Sequence, residues 1–240
     1  MFMSNKVTIK TDFHTHLLPD LDCSGNPDNA VALIKKMKEA GIENVVLTPH
    51  FYPQRNNNVS DFINARNVKI EALKDKLKSE GVNGVALFPA AEVLLCQGLQ
   101  NMEGLELLCI EGTKNILIEM PNLPWSDSLF ETLYEIKTVL GLDIVIAHAD
   151  RYGKKESEKL IKKGYKIQLN ADSLCSIFNG SLIGWVKSGY VYALGSDRHI
   201  HSDNACVFYK DFIKADSILS KYTDEIDSRT SRLIGLSLST

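Results

Sequence analysis

Short apolar runs alternate along the chain with amphipathic stretches, and each apolar run has the length of a single strand. Several runs are rich in β-branched residues, which is typical of parallel strands that are buried on both faces. The pattern predicts seven strands, over residues 7–14, 44–48, 85–90, 115–119, 143–147, 166–170 and 190–195.

The stretches between these strands carry apolar residues at helical spacing. In residues 28–40, Leu33, Ile34 and Met37 recur on one face, while Pro27 suits the first turn and Gly41 the stop. Further helices are predicted over residues 60–79, 126–140, 155–163, 181–187 and 203–219. Residues 105–109 are predicted to form a short hairpin element before the fourth strand.

Strands that alternate with helices predict an α/β fold in which parallel strands form a closed or nearly closed barrel. An open, doubly wound sheet is the alternative. No Gly-x-Gly-x-x-Gly run follows the first strand, so nothing indicates a dinucleotide-binding fold. The chain contains no repeat, low-complexity block or linker, and we expect residues 1–240 to form a single domain.

The composition excludes some classes of function. The 240 residues are 44% hydrophobic and 24% charged with a net charge of -3, which argues against a nucleic-acid partner. No apolar run approaches the roughly 20 residues that span a bilayer, and residues 1–10 contain no signal-peptide stretch. We therefore expect a cytoplasmic protein that does not insert into a membrane.

The cysteines indicate neither a disulfide framework nor a cysteine phosphatase. They are scattered, and no pair has the spacing of a metal finger. A cysteine phosphatase needs an arginine six residues after the nucleophile. The five cysteines are Cys23, Cys96, Cys109, Cys175 and Cys206, and the residues six positions later are Asn29, Met102, Asn115, Ser181 and Phe212.

Histidines and acidic residues gather where the predicted strands end, which is where parallel barrels carry their active sites. Residues two apart on a strand share a face, so His14 and His16 can point into one cavity, as can Asp197 and His199. The residues at or just after the strand ends are His14, His16, His50, Glu92, Glu119, His148, Asn170, Asp197 and His199.

Imidazole and carboxylate groups together suit zinc, manganese or iron, and the thiolate-rich pattern of a structural zinc site is absent. A single catalytic zinc uses about three protein ligands. Eight candidates therefore suit two or three ions with bridging carboxylates: His14, His16, His50, Glu92, Glu119, His148, Asp197 and His199.

The motifs at these positions resemble those of a known superfamily. They are Asp-Phe-His-Thr-His, Thr-Pro-His, Ala-Glu-Val, Ile-Glu-Met-Pro, Ala-His-Ala-Asp-Arg-Tyr, Gln-Leu-Asn-Ala-Asp-Ser-Leu and Gly-Ser-Asp-Arg-His. Together they look like the polymerase-and-histidinol-phosphatase (PHP) superfamily. They are most similar to its bacterial manganese-dependent protein-tyrosine phosphatases of the capsule and exopolysaccharide type. The resemblance runs from Asp12 to about His199.

The resemblance implies a distorted seven-stranded (β/α)7 barrel of TIM-like form that holds three metal ions, with manganese favoured. It implies that the eight candidate residues are metal ligands and that Arg151 binds phosphate. Hydrolysis would use a metal-activated hydroxide, with His199 or Asp197 as a source of the leaving-group proton. The implied substrate is a phosphotyrosine protein, a cognate tyrosine autokinase. The sequence leaves the oligomeric state open.

The chain departs from the family pattern at two places. The family has Asp-Asp-Gly after His-x-His, with the second Asp as a ligand, but this chain has Leu-Asp-Cys-Ser-Gly. Either Asp22 or Cys23 would then supply the ligand, or one metal is weakened. The family often has an arginine shortly after the last Asp-x-His, and here Arg198 or His201 would compensate as a substrate-binding group.

Three other functions remain open at this stage. One is another PHP phosphoesterase, such as a histidinol-phosphate phosphatase. The second is a metal-dependent deoxyribonuclease or amidohydrolase, although Thr-Pro-His and the terminal Asp-x-His weigh against it. The third is a non-catalytic relative that serves as a scaffold.

Overall fold

The structure, a computed structural model, describes residues 6–21, 25–56, 58–122, 124–200 and 205–237, with side chains omitted for 205–209. Ten short strands lie in these ranges, and every pairing between them is parallel. They are β1 Thr11–His16, β2 Asn44–Leu47, β3 His50–Phe51, β4 Ala86–Pro89, β5 Glu92–Leu94, β6 Asn115–Glu119, β7 Asp143–Ile146, β8 Lys166–Asn170, β9 Val191–Gly195 and β10 Arg198–His199.

The helices connect the strands. They are α1 Pro27–Ala40, α2 Val59–Ser79, α3 Asp127–Thr138, α4 Lys154–Lys162, α5 Gly180–Lys187, α6 Ala205–Ile218 and α7 Thr223–Leu233. Short 3-10 helices cover Leu99–Asn101, Leu105–Leu108, Ala149–Arg151 and Ser173–Cys175. None of the described helices is long and apolar enough to cross a membrane.

The strands form two hydrogen-bonded ladders, in the order β10-β1-β2-β4 and β3-β5-β6-β7-β8-β9. Three of the predicted strands are each followed closely by a second short strand: β2 by β3, β4 by β5, and β9 by β10. Pro49 lies in the first of these breaks and cannot donate a hydrogen bond to a ladder. The fold is therefore α/β with parallel sheets, as the alternation of elements predicts.

The predicted helix ends of α1 are confirmed. The side chain of Asn26 accepts a hydrogen bond from the Asp28 N–H at 2.9 Å, and Pro27 is the first helical residue. The helix stops at Gly41, which has a φ of 102°, a left-handed conformation that costs glycine little.

Two local predictions were wrong, and one helix was not predicted. Residues 105–109 form no hairpin, because Gly104 at φ 78° leads into the 3-10 helix Leu105–Leu108. The first strand begins at Thr11 rather than residue 7, since the Lys10 N–H donates to Asp227 Oδ1 at 2.6 Å. That contact comes from α7, an additional helix after the predicted last one.

The apolar residues form two packed groups. The larger group lies between the strands and the helices and includes Ile34, Leu73 and Leu133. The smaller group collects apolar residues from strands of both ladders, with two residues at the end of α7. Its buried members are Phe13, Val46, Ala90, Ile110, Leu117, Val145, Ala147, Ala193, Leu233 and Ile234.

Candidate metal centre

The candidate ligands lie at the carboxyl ends of the strands, where the sequence places them. His14 and His16 belong to the end of β1 and are fully buried. His50 and Glu92 are the first residues of β3 and β5, and they are directly opposite each other in the ladder. The remaining ones end or follow their strands: Glu119 (β6), His148 (β7), and Asp197 and His199 around β10. Asn170, which is not one of the eight candidate ligands, ends β8.

Glu92 is the carboxylate on which the imidazoles converge. Its Oε2 lies 2.8 Å from His50 Nδ1, 3.3 Å from His14 Nε2 and 3.4 Å from His16 Nε2. Its Oε1 lies 2.8 Å from His148 Nε2. Burial by itself raises the pKa of Glu92, but the charge of His14 and hydrogen bonds from the imidazoles outweigh it and hold that pKa well below its usual value.

These contacts bring together ligand atoms that could hold a metal ion. Glu92 Oε2 is buried, and three imidazole nitrogens lie within 3.4 Å of it. Two pairs of ring nitrogens face each other, His14 Nε2 with His16 Nε2 at 3.0 Å and His50 Nε2 with His199 Nε2 at 3.3 Å. Lone pairs that converge in this way are better suited to binding a shared cation than to contacting one another directly.

Three groups of potential ligands can be distinguished within this cluster. In each group the ligand atoms all lie within 4.8 Å of one another. Because the groups share residues, adjacent ions with bridging ligands fit this arrangement. The groups are His14–His16–Glu92, His16–His50–His199 and His50–Glu92–Glu119.

Asp197 connects the centre to Arg151. Its Oδ1 lies 3.2 Å from His16 Nε2, and its Oδ2 lies 2.5 Å from the Arg151 guanidinium. The Asn170 side-chain amide also donates to Oδ2 at 3.2 Å. Burial raises the pKa of Asp197, but the charge of His14 and a hydrogen bond from His16 outweigh it, so the pKa lies below its usual range. Arg151 is half exposed at the rim.

Gln168, a buried amide in β8 beside the histidines, begins the motif Gln-Leu-Asn-Ala-Asp-Ser-Leu but was given no role from the sequence. Its Oε1 accepts the His148 N–H at 2.7 Å and lies 3.2 Å from His14 Nδ1. If His14 Nδ1 carries the proton and donates it to that oxygen, His14 Nε2 is left with a lone pair for a metal. The signal was present in the sequence, because Gln168 shares a strand face with Asn170.

Two acids that were given no role from the sequence, the buried Asp12 and the partly buried Asp150, accept hydrogen bonds from the surrounding loops. Asp150 accepts hydrogen bonds from the Asn170 N–H at 2.8 Å and the Ser173 hydroxyl at 2.7 Å. Asp12 accepts the Ser196 N–H at 2.8 Å, and burial raises its pKa to about 6. Asp12 therefore connects β1 to the turn that carries Asp197.

Aromatic rings surround the histidines. Tyr52 is stacked on His50, with centroids 5.2 Å apart and an interplanar angle of 24°, and the Arg55 guanidinium lies 5.2 Å from the centroid of the Tyr52 ring. Tyr152 lies 5.6 Å from His148, ring to ring. Tyr52, Arg55 and Tyr152 were given no role from the sequence.

Four predicted site residues remain: Asp22, Cys23, Arg198 and His201. Asp22, Cys23 and His201 lie outside the described residues. Arg198 begins β10, and its N–H donates to the Ser196 hydroxyl at 3.3 Å. The role of Arg198 toward a substrate stays a prediction.

Solved structures with a similar fold include three of low sequence identity. One comes from a study of YwqE from Bacillus subtilis and CpsB from Streptococcus pneumoniae, described as unique metal-dependent tyrosine phosphatases. It has 20% identity and a TM-score of 0.74, with 95% of this chain and 96% of that chain covered. An uncharacterised protein has 10% identity and a TM-score of 0.54, covering 96% of this chain and 75% of that one.

The third is a probable 2-pyrone-4,6-dicarboxylic acid hydrolase from Acinetobacter baumannii with citric acid bound. It has 12% identity and a TM-score of 0.53, with 95% of this chain and 100% of that chain covered. No curated protein matches the sequence significantly.

A family model described as capsular polysaccharide synthesis, CpsB/CapC, matches residues 10–225. The chain therefore belongs to the CpsB/CapC family of capsular polysaccharide synthesis.

Proposed function

We propose that this protein is a metal-dependent protein-tyrosine phosphatase that acts in capsular polysaccharide synthesis. The observation that carries the proposal is the convergence of four imidazoles on the buried carboxylate of Glu92. Membership of the CpsB/CapC family agrees with it. So does the description of YwqE and CpsB, with which the chain shares its fold, as metal-dependent tyrosine phosphatases.

We also propose that residues 1–240 form one domain built on a distorted seven-stranded (β/α)7 barrel. Seven strands result when each split strand is counted once. The split strands are β2 with β3, β4 with β5, and β9 with β10. β9 pairs with β8 and its continuation β10 pairs with β1. The smaller apolar group also joins both ladders, as expected for the interior of a barrel.

Two or three divalent ions are proposed for the centre, with manganese favoured over zinc or iron. Nitrogen and carboxylate donors without a described thiolate fit such ions. The proposed ligands are His14, His16, His50, Glu92, Glu119, His148, Asp197 and His199, with Asp22 or Cys23 as an additional one. When bound, such ions polarise a phosphoryl group and lower the pKa of a coordinated water to about 7.

The side chains have distinct tasks in this proposal. Arg151 binds phosphate, because part of its guanidinium lies exposed at the rim while one nitrogen contacts Asp197. A tyrosine leaving group, with a pKa near 10, needs less proton assistance than an alkoxide. The lowered pKa of Asp197 makes it a poor proton donor, which favours His199 for that task.

A phosphorylated tyrosine autokinase in the cytoplasm is the proposed partner. The test is hydrolysis by manganese-loaded protein of a tyrosine phosphopeptide, histidinol phosphate and DNA, with metal content measured by elemental analysis. We expect hydrolysis of the phosphopeptide and at least two ions per chain. Preference for histidinol phosphate would favour another PHP phosphoesterase, and no hydrolysis of any substrate by fully loaded protein would favour a scaffold.

The ligand near Asp22 can be identified with two variants. If Asp22 supplies the oxygen, Asp22→Ala is severely impaired and Cys23→Ser is nearly normal. If Cys23 is the ligand, Cys23→Ser loses a metal and Cys23→Asp restores manganese-supported activity, because manganese prefers oxygen donors. No change in either variant would mean that this loop supplies no ligand.

A further inference from the structure

Arg55 lies in the loop that follows β3, on the same edge of the strands as the candidate ligands. Its side chain is exposed, and no carboxylate in the described part of the chain forms an ion pair with it. Its guanidinium instead lies over the ring of Tyr52, at 5.2 Å from the centroid. A cation at such a position is held without being neutralised.

The loop is fixed in a way that holds this arginine near the centre. The N–H groups of Arg55 and Asn56 both donate to the Tyr52 carbonyl, at 2.8 and 2.9 Å. The Asn56 side chain in turn accepts the Tyr52 N–H at 3.0 Å. Tyr52 is stacked on His50, whose Nδ1 lies 2.8 Å from Glu92. Arg55, Tyr52 and His50 therefore form a continuous stack that ends at the proposed metal centre.

Arg55 and Arg151 differ in the charges that lie beside them. Arg151 lies 2.5 Å from Asp197, so much of its charge is already balanced by that carboxylate. A phosphate monoester approaching this edge carries up to two negative charges, and Arg55 is a cation there that no described carboxylate offsets.

Building on the proposed phosphatase function, we propose that Arg55 binds a phosphoryl oxygen of the substrate and that Tyr52 is the positioning residue that holds its guanidinium. Arg55 reaches the phosphate from the loop after β3, whereas Arg151 comes from the loop after β7. The ligand chemistry is a phosphate dianion. A carboxylate of the substrate peptide is the competing ligand for Arg55, and the experiment separates the two.

The experiment is calorimetric titration of inorganic phosphate into the manganese-loaded full chain, with metal content measured for each variant. Arg55→Ala should weaken phosphate binding about tenfold, because hydrogen bonds to charged groups contribute strongly. Arg55→Lys should recover only part of it, since lysine lacks the planar fork and stacks less well on a ring. The matched control is Arg232→Ala. Arg232 is an exposed arginine in α7, next to Leu233. The Leu233 carbonyl accepts a hydrogen bond from the side chain of the first residue of β6.

Tyr52 gives a second, independent readout. Tyr52→Leu should weaken phosphate binding two- to fivefold, the scale of an exposed cation–π contact. Tyr52→Phe keeps the ring and should retain that binding. If Tyr52→Leu acts only by disturbing His50, its metal content falls and the effect persists in an Arg55→Ala background, which would contradict the positioning role.

Two results would overturn the inference. One is unchanged phosphate affinity in Arg55→Ala. The other is a loss confined to acidic phosphopeptides, which would assign Arg55 to the peptide rather than to the phosphate. Failure of the phosphatase proposal looks different, because the wild-type protein would then hydrolyse no phosphate ester while the phosphate titration could still respond to Arg55.

Discussion

Gly195 lies directly against His14, so that a β-carbon at residue 195 would come within 2.5 Å of the His14 β-carbon. It would also lie 2.8 Å from Gln168 Nε2. Since real β-carbons essentially never approach so closely, Gly195→Ala must displace His14 or the strand. We expect this variant to lose bound metal and activity and to unfold at a lower temperature.

The control for Gly195→Ala is Gly184→Ala. Gly184 lies in α5, and a β-carbon there would meet nothing within 4 Å. An alanine at this helical position should leave metal content unchanged and stabilise the protein by about 0.5–1 kcal/mol. Equal metal content in Gly195→Ala and Gly184→Ala would contradict the importance of the close contact.

Glu92→Gln tests the carboxylate at the centre of the cluster. The amide is nearly the same size, but it removes the negative charge that faces four imidazoles. We expect elemental analysis to show the loss of at least one ion and kcat to fall by about two orders of magnitude or more, because metal and charge are lost together. Glu131→Gln, in an exposed part of α3, is the matched control.

Gln168→Leu tests the amide that contacts the backbone of His148 and the ring of His14. The substitution leaves the His148 N–H without its acceptor and removes the group beside His14 Nδ1. Loss of such a supporting hydrogen bond typically weakens metal affinity about 10- to 100-fold. Competition with a metal chelator measures this directly, and an unaltered affinity would mean that the histidines need no amide to orient them.

Arg151→Lys tests bidentate binding of phosphate. Lysine preserves the charge but lacks the planar fork, so we expect the KM for a tyrosine phosphopeptide to rise about tenfold. Steady-state kinetics on metal-loaded protein would show it. Should both KM and kcat stay at their wild-type values, Arg151 serves only as the partner of Asp197.

The buried thiol of Cys109 should react slowly with an alkylating reagent at pH 8. Burial raises the pKa of its thiol to about 12, so almost none of it is thiolate at pH 8. In native protein treated with iodoacetamide at that pH, mass spectrometry should find Cys109 modified far more slowly than the half-buried Cys96. Comparable rates at the two positions would show that the region around Cys109 opens readily.

The sequence was most informative where function constrains it. Periodicity located the strands β6 and β8 with their observed bounds, and the motifs identified the histidines and acids that meet at one edge. Those residues stand out because histidine and glutamate are unusual at the ends of apolar strands. The expected alternation of elements agrees with the parallel sheets that the structure shows.

What the sequence could not reveal depends on contacts between distant parts of the chain. The start of β1 is set by Asp227, which lies 217 positions from Lys10. Gln168 matters because β7 and β1 bring His148 and His14 to it. Its position on the same strand face as Asn170 makes it a candidate site residue, but the sequence does not show which histidines it contacts. The contact of the Arg55 guanidinium with the Tyr52 ring likewise depends on the turn at residues 52–56. The short polar sequence there does not specify the geometry of that turn.

The breaks within three of the strands have a consequence for motion. β3 and β10 have two residues each and β5 has three, yet they carry His50, His199 and Glu92. So few backbone hydrogen bonds allow a segment to open locally while the longer strands before it stay closed. Removing metal should therefore accelerate amide hydrogen exchange in β3, β5 and β10 far more than in β2, β4 and β9. Metal loss would increase local opening at the carboxyl ends of the strands, while the longer strands that precede them stay hydrogen-bonded.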